Sequence, residues 1–233
     1  MEFQTEQHYF LYALEGTLRL EAQGKRWTLP PARAALIRAG HPITISVLSN
    51  LTTASVLFPR NMMDTPREVL TVFDMTPLAR ELVTECREWG RESLPLTAYA
   101  QGIFVTLASV ITRLAATPSP CVLPAPKSLA LVKALALTEA QFDQAITFEA
   151  IAQKTGQSPR ALARRFASEM GMTWSQTLTR IRIIHAIEQL AMRDSTITDI
   201  ALSVGYNSLS GFNAAFKDLT DMTPSQYRAS FSI

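Results

Sequence analysis

The sequence predicts an α+β protein. Its first half reads as a small antiparallel β sandwich or barrel with helices attached, and its second half as all α, with two helix-turn-helix units joined by a long helix. Three observations predict this. Short runs rich in β-branched and aromatic residues, separated by glycine and proline, fill residues 9–58. After Pro77 the apolar residues switch to helical spacing. Finally, "GMTWSQTL" at 171–178 returns as "DMTPSQYR" at 221–228, sharing Met-Thr-x-Ser-Gln, the mark of an internal repeat.

In the first half, "HYFLYAL", "TLRLEA", "KRWTL", "ITISVL" and "TTASVLF" are the strand candidates, and "REVLTVFDM" offers one more. Gly16, Gly24, Pro30-Pro31 and Gly40-His41-Pro42 supply the turns between them. A helix starts at Pro77 with Thr76 as its N-cap, carries Leu78, Leu82, Val83 and Cys86 on one stripe, and ends near Trp89-Gly90. A second helix, about Ala98 to Ala116, is apolar nearly all round, which fits either packing on its own sheet or contact with a second copy of the chain. "TPSPCVLPAP" then places four prolines in ten residues, which cannot be helix or central strand. The expected division is therefore a domain over 1–116, a proline-rich linker over 117–126 and a helical domain over 127–233.

Length and composition exclude several classes. A chain of 233 residues, 47% hydrophobic and 18% charged, is globular and suits two modest domains. The longest apolar stretch, "GIFVTLASVITRLAA", reaches Arg113 before the ~20 residues a membrane helix needs. The start, Met1-Glu-Phe-Gln-Thr-Glu, is polar and acidic, unlike a secretory signal, so a cytoplasmic protein without membrane contact is expected. Cys86 and Cys121 have no metal-binding or redox spacing, and His8, His41 and His185 are isolated from one another. No metal, no cofactor and no catalytic set is expected. An enzyme housed in the β half would need clustered acids, bases or ligands, whereas its strands offer mostly Leu, Val, Thr and Ala.

The repeat extends upstream of its most visible phrase. "IAQKTGQSPRALARRF" (151–166) lies over "IALSVGYNSLSGFNAAF" (200–216), with one extra residue in the second copy. Ala152 and Ala201 are small enough for a second helix to cross closely. Gly156 and Gly205 follow four residues later, where a tight exit favours a left-handed residue. Ser158 then supplies an N-cap oxygen and Pro159 fills the first helical position. The pattern is helix, glycine turn, helix, twice over.

At 100° per residue, Leu162, Phe166 and Met170 share the buried face of the first copy's second helix, and Arg160, Ala161, Arg164 and Ser168 face outward with Arg165 on the flank. Arginine fits guanine O6 and N7 in a bidentate way or clamps phosphate, so this face is the candidate reader of double-stranded DNA. In the second copy Phe212, Phe216 and Leu219 turn inward, leaving Ser210, Ala214 and Lys217 outward with Asn213 and Asp218 beside them. Net charge is only +2, but its distribution is uneven. Residues 146–192 sum to +3 (Lys154, Arg160, Arg164, Arg165, Arg180, Arg182 against Glu149, Glu169, Glu188). Residues 193–233 sum to −1 (Arg193, Lys217, Arg228 against Asp194, Asp199, Asp218, Asp221). Between the copies, Thr173 to about Met192 has helical spacing with no internal glycine or proline. Such a helix is ~30 Å long and could set two recognition helices in major grooves ~34 Å apart. His185 on it reads as a packing or surface residue.

Residues 129–233 resemble the DNA-binding domain of the AraC/XylS family of bacterial transcription regulators. "SPRALARRFASEMGMTWSQTLTRIRIIHAIEQL" and, more diagnostically, "ITDIALSVGYNSLSGFNAAFKDLTDMTPSQYR" carry the resemblance. It implies that the two Met-Thr-x-Ser-Gln phrases are corners after duplicated recognition helices, with Arg160 and Arg164 as the foremost base contacts. Many relatives place a long polar or basic residue where this chain has Ala214, a basic one at Asp218 and glycine at Asp221. "YALEGTLRLEAQGKRWTLPPARAALIRAGHPITISV" is similar to the cupin-type sensor domain of the same family, without the His-x-His of metal-binding cupins. The function implied is a sequence-specific transcription regulator whose first half senses a small-molecule effector or forms a homodimer, and which engages RNA polymerase. Control by a protein partner in place of a ligand is the alternative, and a cupin enzyme with a helical appendage the remote one.

Overall fold

The computed structural model describes the chain from Met1 to Ser230 except Ala32, Ser49, Arg91, Glu92, Pro120, Arg193 and Asp194. Pro120 of the expected linker and Arg193 and Asp194 of the charge count thus lie outside the described residues. The chain forms two compact units: one of residues 1–22, 28–119 and 229–233, the other of residues 23–27 and 120–228.

The first unit is antiparallel β with two helices, a cupin-like domain. Its strands are β1 (Glu2–Phe3), β2 (His8–Glu15), β3 (Leu18–Ala22), β4 (Lys25–Leu29, whose first residues belong to the second unit), β5 (Arg33–Ile37), β6 (Ile43–Val47), β7 (Thr52–Phe58) and β8 (Leu70–Asp74). A four-stranded sheet runs β7-β2-β5-β8, and β6 pairs with both β1 and β3. Register places Phe10 opposite Leu36 and Val56, and Tyr12 opposite Ala34 and Ala54, so these side chains share one face. That face, with Phe58 and Phe73, packs against α1 (Pro77–Cys86) and α2 (Ala98–Ala115).

Two of these strands have no clear sequence signal. β5 is buried along its whole length, so "RAALI" shows no alternation and is rich in helix-forming Ala and Leu. β1 has only two residues. Thr76 caps α1 as expected, accepting from the Ala79 N–H. The buried stripe, however, is Ala79, Leu82, Val83 and Cys86, and Leu78 is 52% exposed. The side chain of a first-turn residue can escape the interface that the following turns are committed to.

α2 corrects another expectation. It has 18 residues at a mean hydropathy of 1.3, enough by length and composition to cross a membrane despite Arg113. In the unit, Leu107, Ala108, Val110 and Ile111 are buried against α1 and the sheet, while Tyr99, Val105 and Ser109 on the other side are exposed.

The second unit contains β9 (Val122–Pro124), α3 (Leu129–Ala140), α4 (Phe148–Lys154), α5 (Pro159–Arg165) continuing as a π-helical turn over Phe166–Met170, α6 (Trp174–Met192), α7 (Ile197–Ser203), α8 (Leu209–Thr220) and α9 (Pro224–Ala229). β9 lies inside the proline-rich stretch. It pairs with Lys25–Trp27, sits at the end of its sheet order where prolines are tolerated, and sends Leu123 into the helical core. Arg26, buried, forms an ion pair with Glu139 of α3.

Candidate nucleic-acid interface

Each helix-turn-helix is built by the same local chemistry. In the first copy, Thr147 caps α4, Gly156 takes φ +68°, and the Gln157 N–H donates back to the Ala152 carbonyl at 3.0 Å. In the second, Thr196 and Asp199 form a reciprocal capping box at the start of α7, Gly205 takes φ +85°, and the Tyr206 N–H donates to the Ala201 carbonyl at 2.9 Å. This backward bond across a left-handed residue closes the helix end. Ser158 and Ser208 then cap the following helices, accepting from the Ala161 and Gly211 N–H groups.

The repeated phrase has a direct physical role. The Thr173 N–H donates to Gln176 Oε1 at 2.7 Å and the Gln176 N–H to Thr173 Oγ1 at 3.2 Å; Thr223 and Gln226 do the same at 2.9 and 3.3 Å. Met-Thr-x-Ser-Gln is thus a capping box, starting α6 once and α9 once, immediately after the second helix of each helix-turn-helix.

On the first such helix, Leu162, Phe166 and Met170 are buried in a core shared with Leu131, Leu135, Ile151 and Ile181. Arg160 and Arg164, one turn apart, are exposed and have no ion pair or hydrogen bond among the described residues. Ala161 between them is half-buried and Ser168 is exposed, its hydroxyl turned to the Arg165 carbonyl. Arg165 lies 3.7 Å from Glu169 and is partly shielded. Glu169 is itself engaged: its carboxylate accepts from the Lys127 and Ser128 N–H groups at 2.9 and 2.8 Å, closing the start of α3. Burial alone would raise the Glu169 carboxyl, but the hydrogen bonds from Ser128 and Lys127 and the charge of Arg165 outweigh it and hold it below its ordinary value.

The corresponding helix of the second copy, α8, presents a different surface. Ser210, Ala214, Lys217 and Asp218 are exposed, while Phe212 and Phe216 are buried in a chain of ring contacts with Tyr206 and Tyr227. Asn213 is half-buried, and its Oδ1 is enclosed with no hydrogen-bond partner among the described residues. Asp221 ends α8 at φ +59°, where Gly171 ends the first copy at φ +64°.

Three positioning groups carry no signal that pattern reading registers. The Trp174 indole donates to the buried Thr138 hydroxyl at 3.0 Å. Glu169 looks in sequence like an ordinary helix-surface acid. Arg182 of α6 donates to the Phe142 and Gln144 carbonyls at 2.7 and 3.1 Å and lies 5.6 Å from the Tyr206 ring centre. A Cβ on Gly205 would come within 2.8 Å of that guanidinium and 2.9 Å of the Asp143 carbonyl. His185, read as a packing or surface residue, stacks on Phe142 at 4.0 Å. Among the described residues no group of three or more His, Cys, Asp or Glu could hold a metal ion.

Comparison with known proteins adds an independent line. A helix-turn-helix domain model matches residues 151–230, and an AraC-binding-like domain model matches residues 2–121, just over half of the chain. The helix-turn-helix-type transcriptional activator RhaR of Klebsiella pneumoniae is 30% identical over 152 residues, 64% of this chain and 53% of RhaR. An uncharacterized helix-turn-helix-type transcriptional regulator of Staphylococcus aureus is 37% identical over 90 residues, 39% of this chain and 12% of that protein. The chain thus spans between an eighth and about half of the length of these relatives. Among solved structures, the C-terminal domain of AraT, a response regulator from Geobacillus stearothermophilus, is 33% identical, covering 46% of this chain and 88% of that domain at a TM-score of 0.44. ToxT of Vibrio cholerae is 15% identical, covering 99% of this chain and 92% of its own at 0.46. The matched families are those of transcriptional regulators rather than enzymes. With a family model over each half and the duplicated helix-turn-helix between Thr147 and Ala229, the chain belongs to the AraC/XylS family of bacterial transcription regulators.

Proposed function

We propose that the protein is a cytoplasmic, sequence-specific regulator that reads double-stranded DNA chiefly through the first helix-turn-helix. The observation that carries this is the pair Arg160 and Arg164, exposed, unpaired among the described residues and aligned along a helix whose start is fixed by Ser158 and Pro159. Arg165, Ala161 and Ser168 flank the reading face, with Arg165 divided between Glu169 and the DNA backbone. The second helix-turn-helix enters the adjacent major groove and contributes Ser210, Lys217 and a rearranged Asn213. α6, 19 residues and therefore about 28 Å long, is of the right length to separate the two readers by nearly one turn of DNA, ~34 Å.

Residues 1–116 would sense a small-molecule effector or dimerise, with the exposed side of α2 around Val105 as the homodimer contact. The segment 117–126 would link them to the DNA-binding domain over 127–233, and contact with RNA polymerase would couple occupancy to transcription. The test is fluorescence anisotropy on DNA selected from random duplexes, across a salt series, for the wild type and the Arg160→Ala/Arg164→Ala variant. A selected site bound far more tightly than random DNA, with the preference lost in the variant, is the expected result. A preference that the variant retains would mean that the two arginines are merely solvated.

A further inference from the structure

The first unit contains a cleft of about 630 Å3, a size typical of small-molecule sites. It wraps the free edge of β7 and is closed by the end of α1, the residues after it, and α2. Its walls are aromatic: Phe3, Tyr9, Phe58, Trp89 and Phe104, with Met62 beside them. Trp89 meets the Phe104 ring edge-on at 6.5 Å, and Phe3 lies 4.9 Å from Tyr9, so the rings buttress one another.

Among the described residues that line the cleft there is no Asp, Glu, Lys, Arg or His. The polar side chains it offers among the described residues are the Gln7 amide and the Tyr9 hydroxyl paired with the Ser55 hydroxyl at 2.9 Å, either of which can donate. Burial, with the charge of Glu85, raises the Cys86 thiol in the wall to about 11, so it too is neutral at pH 7. A carboxylate or ammonium entering this cleft would give up hydration without meeting an opposite charge, and a polyol would leave most of its hydroxyls unpaired. A flat apolar ring system with a single neutral hydrogen-bonding group meets neither cost.

We infer that this cleft binds a small, uncharged aromatic compound bearing one hydroxyl or carbonyl, held between the aromatic walls with its polar atom at the Tyr9–Ser55 pair. This names the effector class within the proposed regulator and rests on that reading only for the word effector; the binding itself does not.

The test is calorimetric titration of the full chain with biphenyl-4-ol and, separately, biphenyl-4-carboxylate, on wild type, Leu94→Trp and Tyr9→Phe. Leu94 lines the cleft at 68% exposure, so the larger ring obstructs the entrance without disturbing the core. The expected result is saturable one-to-one binding of the alcohol, at least tenfold tighter than the carboxylate. Leu94→Trp should weaken it at least tenfold, and Tyr9→Phe severalfold. Equal binding of the carboxylate, no saturable binding of the alcohol, or binding indifferent to Leu94→Trp would each overturn the inference. DNA binding measured on the same preparations separates the two claims. If the alcohol binds as expected while no DNA site can be selected, the cleft stands and the regulator reading falls. If a DNA site is selected and the alcohol does not bind, the cleft assignment falls alone.

Discussion

The two helix-turn-helix copies close their turns with equivalent bonds, Gln157 to Ala152 and Tyr206 to Ala201, yet they surround those turns with different materials. The first is supported by α3 and β9, through Leu123, Leu131 and Leu135, and shows to solvent two arginines that have no ion pair among the described residues. The second is held by a string of aromatic rings and by Arg182, and shows a serine, an alanine, one lysine and one aspartate. The backbone device is the same in both copies, while the side chains around it differ: two exposed arginines on the first, a string of aromatic contacts behind the second.

The strongest way to break this comparison is to strip the charges from each copy. Arg160→Ala with Arg164→Ala should cost about 4 kcal/mol of specific DNA binding, at about 1–3 per base-reading arginine, and flatten sequence preference. Lys217→Ala should weaken all sequences alike and lower the salt slope by about 1, as loss of one phosphate contact does. Anisotropy titrations over a salt series measure both. An equal loss from the two would erase the proposed asymmetry.

The turns offer the next contrast, read by chemical denaturation. Gly156→Ala meets open space and should cost only the left-handed backbone term of about 1–2 kcal/mol. Gly205→Ala meets Arg182 and the Asp143 carbonyl as well and should cost about 3 kcal/mol. Glu169→Gln should remove about 1 kcal/mol by weakening the charged cap of α3. Because the folded carboxyl is held below its ordinary value of 4.5, the wild type's advantage is fully present above that pH and is lost as pH falls through the depressed folded value. The stability difference between the two proteins should therefore be largest at pH 7 and narrow progressively as pH is lowered below 4.5. Smallest of all, Asp221→Gly should stabilise the chain by about 0.5–1 kcal/mol, since it puts glycine where the first copy already has Gly171.

What could be read in advance depended on whether a physical role leaves a periodic trace. β2, β3, β4, β6 and β7 alternate or are bounded by turn residues and were legible; β5 is covered on both faces and was not. The caps Thr76 and Ser158 and the left-handed glycines were legible because each demands a residue type at a fixed offset. Exposure of Arg160 and Arg164 followed from helical angle alone. Glu169 and Arg182 escaped because their partners, the α3 amides and the 142–144 carbonyls, are about 40 residues away and are backbone atoms with no sequence signature. The same limit applies to the cleft beside β7, whose walls come from strands and helices far apart in the chain.

Arg182 also limits how this architecture can change. It projects from the middle of α6 and grips the chain on both sides of Asp143, against the glycine turn of the second copy. A residue inserted in α6 beyond it would advance everything downstream by 1.5 Å and swing it through about 100°, carrying Gly205 away from the guanidinium. α6 therefore behaves as an indexed shaft: the angular phase between the two copies is adjustable only in whole turns, each accompanied by a new clasp in place of Arg182, so a descendant adapted to a differently spaced DNA site would differ from this chain by a jump rather than by a gradual drift.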